Sequence, residues 1–185
     1  MNGDNMLQKL KILSLAGLLM FCFEAHAKTE LVENVECTFN SDKGSEYCLD
    51  ERGMPFSGKR AQYYNNDTRQ SIESYRNGYR DGRVSFFDND GKISERLYYK
   101  SGIKNGMDKV YYSNRTIKYL KNYKDGLLDG RMDIYSEDGT LRGRVTYHHG
   151  MLTEGYCVDE EGRKTIIGGK EKSAYKDNNF YDCGV

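Results

Sequence analysis

The stretch YRNGYRDG (residues 75–82) returns as YKSGIKNG (99–106), as YKDGLLDG (123–130) and, one residue longer, as YHHGMLTEG (147–155). Each copy places an aromatic residue three positions before its first glycine and an apolar or aromatic residue directly after it. The first glycines, beginning one unit earlier in the chain, are Gly53, Gly78, Gly102, Gly126 and Gly150. A fixed period of about 24 residues predicts a repeat architecture.

Other positions keep the same period. The second glycine of each unit gives the series Gly58, Gly82, Gly106, Gly130 and, one residue late, Gly155. Two aromatic columns accompany the glycines, namely Tyr75, Tyr99, Tyr123 and Tyr147 in the first and Tyr63, Phe87, Tyr111 and Tyr135 in the second. These columns are the candidate aromatic ladder and the candidate interaction residues.

Each unit divides into two strands joined by a tight turn. RVSFFDNDGKISERLYYKSG (83–102) shows an aromatic strand, an Asp-Gly tip and a longer strand, which is a strong hairpin pattern. Two tips have Asp67 or Arg115 in place of the glycine. The preceding Asn66 and Asn114 are the residues expected to take the left-handed conformation there.

One hairpin cannot bury its own face, whereas stacked hairpins bring equivalent side chains together across a sheet. The sequence therefore predicts an all-β fold, an elongated single-sheet array of β-hairpins. Tyr123, with column neighbours on both sides, is expected to be more buried than Tyr75, where the column begins.

The unit aromatic-x-x-Gly-x-x-x-Gly, an aromatic strand and then Asp/Asn-Gly resembles the MORN repeat, and NYKDGLLDGRMDIYSEDG (122–139) is the closest copy. More narrowly, the chain resembles the bacterial MORN variants labelled as YwqK-type antitoxin proteins. The resemblance covers about residues 53–165. It implies an all-β scaffold for protein association and, in some members, for contact with membrane lipid, without catalytic residues.

The first 27 residues differ from the rest. Lys9 and Lys11 precede the apolar run ILSLAGLLMFCF (12–23), and AHA (25–27) offers small residues for cleavage. This pattern predicts a cleaved secretory signal and a periplasmic or secreted protein, with an N-terminal membrane anchor as the alternative. The remaining divisions are an N-terminal cap (28–52), the repeats (53–165) and a C-terminal tail (166–185).

Four cysteines remain after this segment, and an even number in an exported chain favours disulfides. The cysteines flank the repeats in two pairs, so the local bridges Cys37–Cys48 and Cys157–Cys183 are preferred among the three pairings. His148 and His149 are adjacent on one turn and have no counterparts in the other units. They are interpreted as solvated turn residues, and no metal or cofactor is expected.

Composition bears on the class of function. The 28 basic and 28 acidic residues cancel, which argues against a nucleic-acid partner. Hydrophobic residues make up 37% of the chain but it contains 16 tyrosines, as expected for a sheet stabilised by rings. No catalytic triad or phosphate loop is recognised, so the protein is expected not to be an enzyme.

Two binding functions remain, with an unrecognised small envelope enzyme as a less favoured third. The favoured function is a platform for a protein partner, of which an immunity protein against an exported toxin is a special case. The alternative is contact with a membrane surface through basic residues near the turns, such as Arg80, Lys100, Lys104 and Lys124. Assembly into a homo-oligomer is compatible with either.

Overall fold

The structure, a computed structural model, describes residues 31–32, 35–168 and 183. The signal segment predicted over 1–27 and most of the C-terminal tail lie outside these residues. Fifteen strands are present in the described part: β1 Leu31–Val32, β2 Glu36–Asn40, β3 Ser45–Leu49, β4 Gly58–Tyr63, β5 Arg69–Arg76, β6 Tyr79–Phe87, β7 Ile93–Lys100, β8 Ile103–Lys104, β9 Gly106–Tyr111, β10 Ile117–Lys124, β11 Leu127–Leu128, β12 Gly130–Tyr135, β13 Leu141–His148, β14 Met151–Val158 and β15 Lys164–Gly168.

Thirteen strands form one sheet in the order β1-β4-β5-β6-β7-β9-β10-β12-β13-β14-β15, with β8 beside β7 and β11 beside β10. All pairs are antiparallel except β1 with β4. Strands β2 and β3 form a separate hairpin, here called the cap hairpin. No helix occurs among the described residues. The structure thus confirms the predicted all-β array of hairpins.

Two kinds of turn alternate along the chain. Turns at one edge of the sheet have two central residues with positive φ, as in Asn77-Gly78 (50° and 82°) and Asp125-Gly126 (50° and 86°). Positive φ at both positions is the signature of a type I′ turn, whose twist matches that of the flanking strands. Ser101-Gly102 and His149-Gly150 share it. This edge is called the I′ edge below.

The turns at the opposite edge, called the tip edge, are longer. Their fourth residue donates its N–H to the carbonyl of the first, as Gly91 does to Asp88 and Gly139 to Ser136. In the two glycine-free tips, Asp67 and Arg115 themselves have positive φ, 59° and 73°. The expectation that the preceding asparagines take this conformation is wrong.

Asn66 and Asn114 serve a different purpose in these tips. The Asn114 side chain accepts the N–H of Thr116 at 2.9 Å and donates to the carbonyl of Glu137 at 2.8 Å in the next tip. Asn66 donates equivalently to Asn89 at 3.3 Å. Each glycine-free tip is therefore bonded to a glycine-containing tip, and the four tips at Asp67, Gly91, Arg115 and Gly139 alternate with a 48-residue period.

Two glycines do not occupy the predicted positions. Gly53 donates its N–H to the carbonyl of Asp50, as a tip residue does, and is not equivalent to the I′-edge glycines. Gly155 lies opposite Val145, whereas Gly58, Gly82, Gly106 and Gly130 lie opposite the tyrosines of the first column. The sequence predicts Gly155 to belong to this series because it is the second glycine of its unit. A register shift in the β13–β14 pair separates it from the other members.

Both predicted disulfides are present. Cys37 and Cys48 pair across the cap hairpin with Cα atoms 4.1 Å apart, and Cys157 bridges to Cys183 with Cα atoms 5.6 Å apart. The Cys183 sulfur fills the space that a side chain on Gly143 would need. The bridges are compatible with an extracellular or periplasmic location.

Buried apolar side chains form two clusters, and Val84 and Leu97 are buried on the strands between them. The first cluster contains Val35, Cys48, Phe56 and Tyr75, where the cap hairpin meets the sheet. The second contains Tyr119, Met132, Ile134, Val145 and Tyr147. The cap hairpin is fixed at the first I′ turn because Cys48 donates its N–H to the carbonyl of Gly78 at 2.8 Å.

Candidate functional site

The I′ edge is built from turns that bond to one another. The N–H of Gly102 donates to the carbonyl of Arg80 at 2.8 Å, and Gly126 does the same to Lys104 at 2.9 Å. The side chain after each glycine lies over the glycine of the next unit. A Cβ on Gly126 would lie 3.3 Å from Ile103 Cγ2. The glycines are therefore needed both for their φ angles and for this close approach.

Five apolar side chains are exposed on or beside the I′ edge, and we call them the edge strip. Their exposed fractions run from 40% to 61%, and they are Tyr98, Ile103, Met107, Leu127 and Met151. Strand alternation and register place all five on one face, because Ile103 lies opposite Lys100 and Met107 opposite Asn122. Because three of these side chains follow the glycines of successive I′ turns, the edge strip is a candidate contact surface along that edge.

The first aromatic column lies on the opposite face. Tyr75 and Tyr147 are buried, at 5% and 3% exposure, whereas Tyr99 and Tyr123 are only partly buried. The expectation that Tyr123 is more buried than Tyr75 is wrong. The reason is the cap hairpin and its neighbour Phe56, whose ring centroid lies 5.6 Å from that of Tyr75.

The second column lies close to the tip edge, where register shifts occur. Three of these residues are partly buried and Tyr63 is 39% exposed; the members are Tyr63, Phe87, Tyr111 and Tyr135. The shifts fall directly before Tyr63, Phe87 and Tyr135. These rings therefore mark bulges at strand ends and do not form a regular exposed stripe.

A buried carboxylate lies next to Tyr75. Glu73 accepts hydrogen bonds from Tyr75 Oη at 2.6 Å, Arg80 Nε at 2.7 Å and Ser71 Oγ at 3.0 Å. Burial acts to raise the pKa of Glu73, but these donors, Arg80 foremost, outweigh it and lower the pKa. Arg80 also contacts Glu46 of the cap hairpin at 2.8 Å. This group ties the cap to the sheet.

A second charged group lies in the middle of the same face. Asp108 is fully buried, and its Oδ2 lies 2.9 Å from Nζ of Lys121, which is 5% exposed. Glu95 interacts with both of them, and burial followed by repulsion from Asp108 raises the pKa of Glu95. The sequence interpretation missed this group.

A sequence signal for the group does exist. The pairs that lie opposite each other in the central row of this face are Arg60–Glu73, Val84–Leu97, Asp108–Lys121 and Met132–Val145. Charged and apolar pairs alternate, so the 24-residue units are chemically equivalent only at a period of 48. This alternation is visible in the sequence once the row is known.

The basic residues suggested for membrane contact are not uniformly available. Arg80 is paired with two carboxylates, and Lys104 Nζ lies 5.1 Å from the ring centroid of Tyr123. Asp81, in the same turn region, accepts the N–H of Ser101 at 3.1 Å. Lys100 and Lys124, the other two basic residues suggested for this contact, are exposed. In the part of the chain that the structure describes, no helix is long and apolar enough to cross a bilayer.

The fourth I′ turn differs from the others in its side chains. His148 Nε2 lies 2.9 Å from His149 Nδ1, and His148 Nδ1 lies 3.9 Å from Asp129 Oδ2. The same oxygen accepts the backbone N–H of His149 at 3.2 Å. The two histidines are thus exposed turn residues, as interpreted from the sequence, but they are joined by a carboxylate that sequence spacing did not suggest.

No protein-family model and no curated protein matches the chain. Among solved structures, accessory secretory protein 1, 2 and 3 in Streptococcus pneumoniae shows 16% identity over 57% of this chain and 20% of that chain, with a TM-score of 0.32. TarM of S. aureus, in complex with fondaparinux, α-GlcNAc-glycerol and UDP, shows 13% identity over 84% of this chain and 23% of its own, with a TM-score of 0.25. The GtfA/B complex bound to UDP and GlcNAc shows 14% identity, coverages of 77% and 26% and a TM-score of 0.24. The chain spans only a fifth to about a quarter of these proteins, and likeness at this level carries no argument about function.

Proposed function

We propose that this protein is an exported, non-enzymatic repeat scaffold that binds a protein partner through the edge strip. The observation that carries the proposal is the alignment of five exposed apolar side chains along one edge and one face. Exposed apolar groups that are contiguous mark interaction sites more often than scattered ones do. Tyr98 and Met107 are also of the residue types enriched at protein interfaces.

The absence of enzymatic activity is supported by the state of the charged groups. The Glu73 carboxylate accepts hydrogen bonds from Arg80 and Tyr75, and the Asp108 carboxylate forms an ion pair with Lys121. Both carboxylates therefore face cations of the sheet itself, which agrees with a structural role for them. A small envelope enzyme and a membrane-surface module are the weaker candidates.

Export is proposed from the signal-like residues 1–27 together with the two disulfides, which are compatible with an oxidising compartment. The resemblance to bacterial MORN variants agrees with a partner-binding scaffold. An immunity protein that binds an exported toxin is a special case of this proposal.

The experiment is affinity capture from the native host's envelope fraction with the tagged full chain. Ile103→Asp combined with Met107→Asp places two charges in the edge strip. Ile166→Asp is the matched control, because Ile166 is 72% exposed on the same face but lies on β15, far from the strip. Loss of two interface contacts is expected to weaken partner binding by at least about 2 kcal/mol, or roughly 30-fold.

The proposal is supported if one protein is captured by the wild type and by Ile166→Asp but not by the double variant. Capture that survives the double substitution at unchanged affinity contradicts the edge strip as the binding surface. Binding to anionic vesicles without a protein partner favours the membrane alternative. Circular dichroism melting curves verify that all three proteins are folded.

A further inference from the structure

We propose that Asp129, His148 and His149 form a binding site for a divalent transition-metal ion, with Zn²⁺ as the representative. One ligand atom from each residue lies within 4.8 Å of the others. Two imidazoles and one carboxylate are the donor set that borderline divalent metals accept, with open positions left for water.

The distances suit a small ion after minor side-chain rotation. His148 Nε2 lies 2.9 Å from His149 Nδ1, and the other His148 nitrogen, Nδ1, lies 3.9 Å from Asp129 Oδ2. Ligands at about 2.0–2.1 Å from a tetrahedral zinc ion are separated by about 3.3 Å. A single ion takes only one of the two His148 nitrogens, so side-chain rotation has to bring one ligand atom from each residue, now within 4.8 Å of one another, to that separation. Both histidines are exposed, so an ion reaches them without opening the fold.

The carboxylate is held in place by the turn itself. Asp129 Oδ2 accepts the backbone N–H of His149, and the I′ turn fixes that N–H because His149 has a φ of 48°. Metal ligands gain affinity when a second hydrogen bond orients them. Asp129 Oδ2 is also the oxygen 3.9 Å from His148 Nδ1, so this hydrogen bond holds a carboxylate oxygen next to the imidazoles.

Among the four I′ turns, only the fourth carries histidine side chains. The positions of His148 and His149 are occupied by Arg76-Asn77, Lys100-Ser101 and Lys124-Asp125 in the other units. The residues that correspond to Asp129 in the other units are Ser57, Asp81 and Asn105. An Arg or Lys side chain thus precedes the turn in three units, and His148 stands at that position in the fourth. The other cluster of possible ligands contains Cys37 and Cys48, whose sulfurs are joined in a disulfide.

The test is calorimetric titration of metal-stripped full-length protein with Zn²⁺. His148→Lys combined with His149→Asn converts the fourth turn to residues found in its siblings, so the turn is retained while the imidazoles are removed. Asp129→Asn copies Asn105 in the same way. Asp81→Asn, at the corresponding place of another turn, is the matched control.

One zinc ion per chain is expected for the wild type and for Asp81→Asn. Binding is expected to weaken at least tenfold in Asp129→Asn and more in the double histidine variant. Zinc should also shift the imidazole NMR signals of His148 and His149. The proposal is overturned if the wild type does not bind at millimolar zinc, if the double variant binds equally well, or if Asp129→Asn leaves affinity unchanged.

Discussion

Replacing Asp108 by Val and Lys121 by Leu together should leave the free energy of unfolding nearly unchanged, although each single replacement should be costly. The two residues lie opposite each other in register, one unit after Val84 and Leu97. The double variant therefore transplants an apolar pair that the same sheet already accommodates. Buried ion pairs can often be replaced by packed apolar residues at no cost or with a gain of about 1–4 kcal/mol.

The single variants should differ from each other. Lys121→Leu leaves Asp108 buried beside Glu95 without a cation, and should cost about 3–5 kcal/mol. Asp108→Val leaves Lys121 with Glu95 as a remaining partner, and should cost about 1–3 kcal/mol. If the double variant is close to neutral, the coupling energy between the two positions is about 4 kcal/mol or more.

Urea unfolding followed by far-UV circular dichroism measures these free energies, and Val84→Ala provides a control for loss of packing in the neighbouring pair. The reasoning is refuted if the double variant is as unstable as Lys121→Leu, because the sheet then requires charge at this place. It is also refuted if both single variants cost less than about 1 kcal/mol, since the pair would then not be buried as the structure shows.

Three further predictions concern other parts of the array. Tyr75→Ala should cost about 3–5 kcal/mol and more than Tyr123→Ala, because only Tyr75 is buried; equal melting temperatures for the two variants would contradict this. Glu95→Gln should raise the melting temperature at neutral pH. Burial and a neighbouring carboxylate raise the native pKa of Glu95. The stability contributed by the protonated Glu95 side chain is therefore complete below the unfolded pKa and is lost as pH rises through the native pKa. A gain in the melting temperature of Glu95→Gln that persists undiminished in acid would count against this assignment. Gly78→Ala should loosen the cap hairpin, whose Tyr47 ring fills the space of the added methyl, whereas Gly139→Ala meets open space and should cost only its backbone strain; proteolysis of the hairpin that is the same in both would show otherwise.

The sequence predicts those features that depend on neighbours along the chain. The 24-residue period, the I′ turns at Asn77-Gly78 and its siblings, and both disulfides follow from local residue type and spacing. Side-chain burial does not follow in this way. Tyr75 begins its column in the sequence, yet it is buried because the cap hairpin, which is not a repeat, folds back on it.

The fourth turn shows the same limit. Asp129 and His149 are 20 residues apart and meet only because successive I′ turns lie side by side. The sequence indicates the aromatic columns as candidate interaction residues and does not single out the edge strip, because regularly spaced rings are more conspicuous in a sequence than isolated apolar residues. The charged pairs of the central row could have been found in the sequence, because the equivalent positions Arg60, Val84, Asp108 and Met132 alternate between charged and apolar residues.

The alternation in the central row has a consequence for how such a chain can grow or shrink by duplication. Deleting a single unit, residues 84–107, would bring Asp108 opposite Glu73, so two buried carboxylates would face each other. Deleting two units, residues 84–131, would bring Met132 there in place of Val84, and the row would stay compatible. The heritable module of this protein is therefore a pair of repeats, and lineages of it are expected to differ in length by steps of 48 residues.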